Sequence, residues 1–170
     1  RASCASTRTE VKCWGEIKGP GGTAYTPRSM YDAEAPVTAI SVGDNSYSGT
    51  SNTLCMIFGA TLGCKDLAPD EILNPVKGLG GEPTAVSAGN PNCAIVAGAA
   101  KCWGTNAATL SPSVVVGLGQ NVTAVASSSE HTCVVVSGAA KCWGIAWGAT
   151  PPLNRSEVPF DVPGLTSGVT

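Results

Sequence analysis

Short alternations of small apolar and polar residues recur along the chain, and each one stops at a Gly, Pro or Ser-rich stretch. One kind begins at Val37 as VTAISVG and returns in variant form at Pro83 and Val122. A second kind runs between paired cysteines, and a third ends in Gly-Leu within residues 75–79, 114–118 and 158–165. Alternation over about four to eight residues between turn signals is typical of β-strands. The pattern predicts an all-β chain of many short strands.

The cysteines mark an internal repeat. They form four pairs whose members are nine positions apart: Cys4 and Cys13, Cys55 and Cys64, Cys93 and Cys102, and Cys133 and Cys142. The sequence around them also repeats: residues 93–104 are CAIVAGAAKCWG and residues 133–144 are CVVVSGAAKCWG. The same frame occurs at residues 4–15 and 55–66. We therefore predict a single repeat domain over residues 1–170, with a hairpin at each pair.

The nine-residue spacing fits a β-hairpin with a two-residue loop. With Ala97 and Gly98 in the loop, Cys93 faces Cys102 at a non-hydrogen-bonded pair, where Cα atoms are about 4.5 Å apart and a disulfide can form. Gly98 supplies the positive φ that such loops need. Zinc is the competing interpretation, but zinc ribbons favour a C-x2-C spacing, and other disulfide connectivities stay open. Hairpin disulfides are the prediction.

One repeat contains an inner strand, two disulfide-linked hairpin strands, a variable loop and an outer strand that ends in Gly-Leu. Four strands in about 40 residues correspond to one blade of a β-propeller. The fold prediction is a β-propeller of about four such blades. Residues 16–36, which contain GPGG and little apolar periodicity, are predicted to be a surface loop.

The order of motifs resembles the repeats of the RCC1 (regulator of chromosome condensation) superfamily. It runs from V-T-A-V through His-Thr-Cys at 131–133 and K-C-W-G at 141–144 to a proline-containing V-x-G-L. The resemblance is closest to extracellular members whose blades carry paired cysteines. It covers nearly the whole chain and departs from the family at Lys65-Asp66, which replaces Trp-Gly, and at an insertion in residues 43–54. The resemblance implies a blade fold and leaves the role open.

The two termini are complementary. The first repeat starts at its hairpin with no inner strand before Cys4, whereas residues 166–170 begin a further inner strand. The C-terminal strand could complete the first blade of its own chain or that of a neighbouring subunit, or the chain could be part of a larger propeller. An open sheet edge pairs readily with another strand, so strand donation to a second copy has a physical basis.

The charge and the cysteine content restrict the classes of partner and the cellular compartment that fit this chain. Charged residues make up 13% of the chain and the net charge is −2, which does not favour a nucleic-acid partner. Eight cysteines indicate an oxidising compartment, and no apolar run is long enough to span a membrane. The chain begins at Arg1 without a leader, so we expect a secreted, extracellular or cell-surface protein whose signal peptide has been removed.

Few residues are candidates for chemistry. His131 is the only histidine, and we expect it to be structural because it has no partner ligand or nucleophile in the sequence. Trp14, Trp103 and Trp143 follow their hairpins and are expected to pack between blades. The candidate contact residues are Trp147, Tyr25, Tyr31 and Tyr47, and the candidate glycosylation sequons begin at Asn121 and Asn154.

These observations favour a non-catalytic structural or self-associating surface protein, such as a subunit of a filament or adhesive appendage. The alternative is an extracellular binding module, an enzyme inhibitor or a lectin, that uses loops on a propeller face. Carbohydrate is therefore a possible partner besides protein, including copies of this chain. The sequence contains no nucleophile–base pair, phosphate-binding loop or metal-ligand cluster, so no catalytic residue, metal or cofactor is predicted.

Overall fold

The computed structural model describes residues 2–17, 23–44, 52–68, 71–104, 111–145 and 156–170. These residues form fifteen strands and no helix, as the sequence pattern predicts. The strands are β1 (Ala2–Ser6), β2 (Glu10–Glu16), β3 (Thr23–Asp32), β4 (Val37–Asp44), β5 (Asn52–Phe58), β6 (Thr61–Asp66), β7 (Asn74–Pro75), β8 (Pro83–Ser87), β9 (Asn92–Val96), β10 (Ala99–Trp103), β11 (Ser113–Val114), β12 (Val122–Ser127), β13 (His131–Val136), β14 (Ala139–Gly144) and β15 (Ser156–Asp161).

The strands form four antiparallel sheets, here termed blades 1 to 4, that follow one another along the chain. Blade 1 contains β1-β2-β3, and blades 2, 3 and 4 contain β4-β5-β6-β7, β8-β9-β10-β11 and β12-β13-β14-β15. In blades 2 to 4 the spatial order of the strands equals their order in sequence, with the inner strand first and the outer strand last. The inner strands β4, β8 and β12 contact one another in succession. This is the predicted β-propeller arrangement of repeated blades.

The cysteine hairpins have the predicted register. In blade 3, Val96 pairs with Ala99 and Cys93 pairs with Cys102. Each of the four cysteine pairs forms a disulfide, with a Cα–Cα distance of 4.1 Å. Both loop residues of this hairpin are left-handed, with φ values of 50° at Ala97 and 76° at Gly98. The glycine was foreseen from the sequence, but the left-handed alanine before it was not.

The segment 16–36 differs from the prediction of a surface loop, because Thr23–Asp32 forms the ten-residue outer strand of blade 1. Its register with β2 runs from Glu16 opposite Thr23 to Glu10 opposite Asp32, with two irregularities between them. Most of its side chains with a described environment are exposed. Met30 is its one buried side chain among those described. A strand that buries so little of either face needs no alternation of apolar and polar residues, so its sequence does not reveal it.

The outer strands are shorter than the predicted segments ending in Gly-Leu. β11 stops at Val114, and the next residues form a turn in which the Leu118 amide donates to the Val115 carbonyl oxygen at 2.9 Å. Gly117 has a φ of 77° in this turn, a conformation that glycine adopts without steric cost. The turn directs Leu118 into the interior, where it is fully buried. The Gly-Leu motif therefore closes the blade instead of extending its outer strand.

Three hydrophobic clusters lie between successive blades. Leu79 of blade 2 packs in one cluster with Trp103 of blade 3, and Leu118 of blade 3 packs in another with Trp143 of blade 4. This is the interblade packing that the sequence predicts for these tryptophans. In blade 2 the tryptophan position is taken by Lys65, which is buried and donates from Nζ to the carbonyl oxygen of Met30 at 3.4 Å.

The inner strands also approach one another at their backbones. The Ser41 hydroxyl accepts a hydrogen bond from the Ala88 amide at 2.9 Å, and the Ser87 hydroxyl accepts one from the Ser127 amide at 2.8 Å. Two residues beyond Ser41, a Cβ atom added at Gly43 would overlap the carbonyl oxygen of Ala88. Serine and glycine at these positions hold each inner strand directly against the next one.

The C-terminal segment does not complete blade 1 of its own chain in the described structure. Residues 166–170 form no strand, and the Val169 amide donates to the Gly138 carbonyl oxygen of blade 4 at 2.9 Å. Blade 1 consequently has three strands among the described residues. The expectation of a composite first blade within one chain is corrected because this segment is held at the turn of the fourth hairpin.

Candidate functional site

The first end of the blade array is the edge of β1. In blades 2 to 4 an inner strand pairs with the first hairpin strand, but no strand of the described chain pairs with β1 on that side. The Thr7 amide donates to the Glu10 carbonyl oxygen at 2.8 Å, which fixes the alternation of hydrogen bonds along the hairpin. By that alternation the amides of Ser6 and Cys4 point away from β2, towards the position of an inner strand. These two amides therefore have no partner strand among the described residues.

The second end is the C-terminal segment, which occupies the place where a following inner strand would begin. A backbone bond joins a hairpin turn to the next inner strand at Val37 N to Arg8 O (2.8 Å) and at Val122 N to Gly98 O (2.9 Å). The Val169 N to Gly138 O bond (2.9 Å) matches the second of these, because Gly98 and Gly138 are both the second residue of their turns, whereas Arg8 is the first. The residue before the valine is left-handed in two of these cases, with φ values of 60° at Asn121 and 74° at Gly168. Gly168 and Val169 therefore match Asn121 and Val122, where the inner strand β12 begins, in one backbone angle and one hydrogen bond.

Beside this segment lies an apolar surface on blade 4, on the side away from blade 3. We define the open face of blade 4 as the Cys133–Cys142 disulfide with Val135, Ala140, Val162 and Leu165. The corresponding residues of blade 3 are Cys93–Cys102, Ile95, Ala100, Val115 and Leu118, all of which pack in the cluster shared with blade 4. Leu118 is 0% exposed in that cluster, whereas Leu165 is 47% exposed. The open face therefore carries the same kinds of apolar residue as the buried face of blade 3, but its own residues are not buried.

The opposite surface, on blade 1, carries residue types found in an interior interface. We define the front face of blade 1 as Ala5, Lys12 and Trp14, which correspond in hairpin register to Ala94, Lys101 and Trp103 of blade 3. Those three residues of blade 3 lie against blade 2, and the Lys101 ammonium donates to the carbonyl oxygen of Leu79. On blade 1, by contrast, Ala5 is exposed and Trp14 is only half-buried.

A pocket of about 190 Å³ lies between blades 3 and 4, at the opposite end from the hairpin turns. Its described lining includes Asn90, Pro91, Glu130, His131, Trp143 and Glu157. His131 is exposed, with its Nδ1 atom 3.2 Å from the Ser128 hydroxyl. That hydroxyl also accepts hydrogen bonds from the Glu130 and His131 amides, so it organises the turn before β13.

The candidate contact residues have different surroundings. Tyr25 is 90% exposed on β3, the outer strand of blade 1. Tyr31 was also expected to be a contact residue, but it is half-buried and packs against Phe58, with the ring centroids 5.7 Å apart. The difference arises because Tyr31, near the end of β3, packs against the core cluster shared by blades 1 and 2. Tyr47 and Trp147 lie outside the described residues.

Of the two sequons, Asn121 is exposed, as is Thr123 two residues later, so this acceptor side chain is accessible. Asn154 lies outside the described residues.

All eight cysteines are in disulfides, which leaves no thiolate for zinc and indicates an oxidising environment for folding. No group of three or more potential metal ligands occurs in the described part of the chain. The same residues include no helix that is long and apolar enough to cross a membrane.

The fold and the two array ends define an all-β protein of propeller-type blades. It is similar in structure to human WBSCR16, with a TM-score of 0.71 and 15% sequence identity over 95% of this chain and 50% of that chain. It is also similar to the N-terminal domain of Nup159, with a TM-score of 0.50 and 12% identity over 95% of this chain and 41% of that one. The chain thus spans about half the length of these propeller structures.

At these identities the likeness concerns the fold alone. No protein-family model matches the sequence, and no curated protein is significantly similar to it.

Proposed function

We propose that this protein is a secreted, non-catalytic structural protein whose copies associate through the two ends of the blade array, as in a filament or adhesive surface appendage. The observation that carries the proposal is the free edge of β1, in a three-stranded blade followed by blades with four strands. Such an edge is a template for a strand from another chain. At the other end of the array, Gly168 and Val169 repeat the backbone angle and the hydrogen bond with which β12 begins at Asn121 and Val122.

The composition supports an extracellular structural role. Each blade is stabilised by a short disulfide-closed hairpin, a device typical of proteins outside the reducing cytoplasm. Charged residues make up only 13% of the chain, so contacts between copies would depend mainly on backbone hydrogen bonds and apolar packing.

The repeats are, in this proposal, of the RCC1 type with paired cysteines. Each segment that carries the resemblance has one defined position in a blade. The V-T-A segment begins the inner strand at Val122, K-C-W-G ends the second hairpin strand at Gly144, and Gly-Leu forms the turn after the outer strand at Leu118. This correspondence is stronger support for the family than the spacing of the cysteines by itself.

A second candidate function is an extracellular binding module, either an enzyme inhibitor or a lectin. The observation that favours it is the pocket between blades 3 and 4, whose lining includes Glu130, His131, Glu157 and Trp143. Aromatic rings beside polar groups are common in sites that recognise sugars or peptides. This function needs no contact between copies, so self-association distinguishes the two candidates.

Multi-angle light scattering across a wide range of protein concentrations tests the proposal. We expect the weight-average mass to rise above the 17.0 kDa of one chain as concentration increases. Added salt should not reverse the rise, because paired backbones and apolar surfaces are screened little by ions. A mass that stays at 17.0 kDa at the highest concentration would contradict self-association and favour the binding module.

A further inference from the structure

Resting on the proposed self-association, we infer the surfaces that meet: the open face of blade 4 covers the front face of blade 1 of a second copy. The contact would be head-to-tail and would repeat the geometry that already joins blade 2 to blade 3 and blade 3 to blade 4. Four features of the molecule support this assignment, two on each surface.

The first feature is the leucine of the Gly-Leu turn. Leu79 and Leu118 each pack with the tryptophan of the following blade and are 8% and 0% exposed. Leu165 has the same backbone setting, since the Ala140 amide donates to its carbonyl oxygen at 2.8 Å just as the Ala100 amide donates to Leu118 at 2.9 Å. Its side chain nevertheless remains 47% exposed. It is an interface leucine whose tryptophan is not provided by the described chain.

The second feature is the tryptophan of blade 1. Trp103 and Trp143 are 6% and 8% exposed because the preceding blade covers them, whereas Trp14 is only half-buried. Trp14 pairs with Ser3 as Trp103 pairs with Asn92, so the two rings stand at the same position of their hairpins. Large aromatic side chains at the centre of a contact carry much of its binding energy. Trp14 of a second copy would therefore supply the tryptophan against which Leu165 can pack.

The third feature is the lysine of the second hairpin strand. The Lys101 ammonium of blade 3 crosses to blade 2 and donates to the carbonyl oxygen of Leu79. Lys12 has the same register position, opposite Ala5 where Lys101 is opposite Ala94. In the blade 1 surface it forms an ion pair with Glu10 at 3.1 Å, with 45% of its side chain exposed. It is in position to cross to the Leu165 carbonyl of the second copy.

The fourth feature is the direction of the C-terminal segment. The Val169 amide is bonded to Gly138 as Val122 is bonded to Gly98, where β12 goes on to pair with β13 of its blade. A copy of blade 1 seated on the open face would present the free edge of β1 along the same line. This single placement buries both Leu165 and Trp14. It also brings the C-terminal segment next to the free edge of β1. A second copy is the occupant because this chain itself carries both matching surfaces.

Complementation between two variants tests the head-to-tail assignment. Leu165→Asp removes the tail contact and leaves the head intact, while Ala5→Glu blocks the head and leaves the tail intact. Each variant by itself should be monomeric in sedimentation velocity, with its apparent dissociation constant raised at least about tenfold. Their mixture should form a 1:1 complex, because it restores one intact head and one intact tail. Trp14→Ser serves as a second head variant, provided that its circular dichroism matches that of the wild type.

Val116→Asp is the matched control, since Val116 is 78% exposed beside the equivalent turn of blade 3 and lies outside both surfaces. It should associate like the wild type. Continued association of Leu165→Asp, or a mixture that stays monomeric, would overturn the head-to-tail contact while leaving self-association standing. A wild-type chain that is itself monomeric would instead refute the proposed function.

Discussion

Replacing Gly43 with alanine is expected to lower the free energy of unfolding by about 3 kcal/mol, although the change adds only a methyl group. The new Cβ would overlap the backbone carbonyl of Ala88 and meet the amide nitrogen of Gly89 at 2.9 Å. Ala88 and Gly89 directly follow β8, and their backbone atoms cannot rotate away as a side chain can, so blades 2 and 3 must separate. Their separation would also break the hydrogen bond that the Ala88 amide donates to the Ser41 hydroxyl.

Gly119→Ala provides the control for this prediction. Gly119 is not left-handed, and the nearest atom to its added Cβ is the Val114 Cγ1 at 4.0 Å. Chemical denaturation should therefore place this variant within about 0.5 kcal/mol of the wild type. Equal stabilities of the two variants would show that the inner strands do not make the close backbone contact described above.

Leu118→Ala is expected to cost about 3 to 4 kcal/mol of stability, because it leaves a cavity between blades 3 and 4. Leu118 is fully buried with Val134 and Trp143 in the cluster that joins these blades. The corresponding change at the open face, Leu165→Ala, should cost less than about 1 kcal/mol in dilute solution, since that side chain is 47% exposed.

The difference between the two leucine variants is itself informative. Both residues follow a left-handed glycine and accept the same backbone hydrogen bond, so only the covering blade distinguishes them. Thermal unfolding at low and high protein concentration should show the Leu165→Ala cost growing with concentration, as a partner covers the wild-type residue. Equal costs for the two variants in dilute solution would contradict the assignment of the open face.

Much of the fold follows from the sequence because the cysteine hairpins combine several signals. The nine-residue spacing, the loop glycine and the text repeat all specify the same register, and the structure has that register at Cys93 and Cys102. The role of the tryptophans could be predicted for a similar reason, since a large ring after each hairpin can be buried only against a neighbouring blade. Trp103 and Trp143 are buried in this way.

Other elements have no comparable signal. β3 is mostly exposed, so burial imposes no pattern on Thr23–Asp32, and the strand depends on its pairing with β2. Ala97 is left-handed because the twist of the hairpin requires a positive φ at this position. An alanine in the sequence gives no sign of this conformation, whereas a glycine would. The open face was missed because Leu165 carries the same motif as Leu79 and Leu118, and only the structure shows that its burial differs. The signal that could have revealed the front face is the recurrence of Ala, Lys and Trp at matching hairpin positions.

Hydrogen–deuterium exchange at the Cys4 and Ser6 amides tests the central claim most directly, because these two groups lie on the free edge of β1. If another copy supplies a strand, their exchange should slow as protein concentration rises, while the Thr7 amide, which donates to Glu10, remains protected at all concentrations. Leu165→Asp should abolish the concentration dependence. Fast exchange of Cys4 and Ser6 that is independent of concentration would contradict the account.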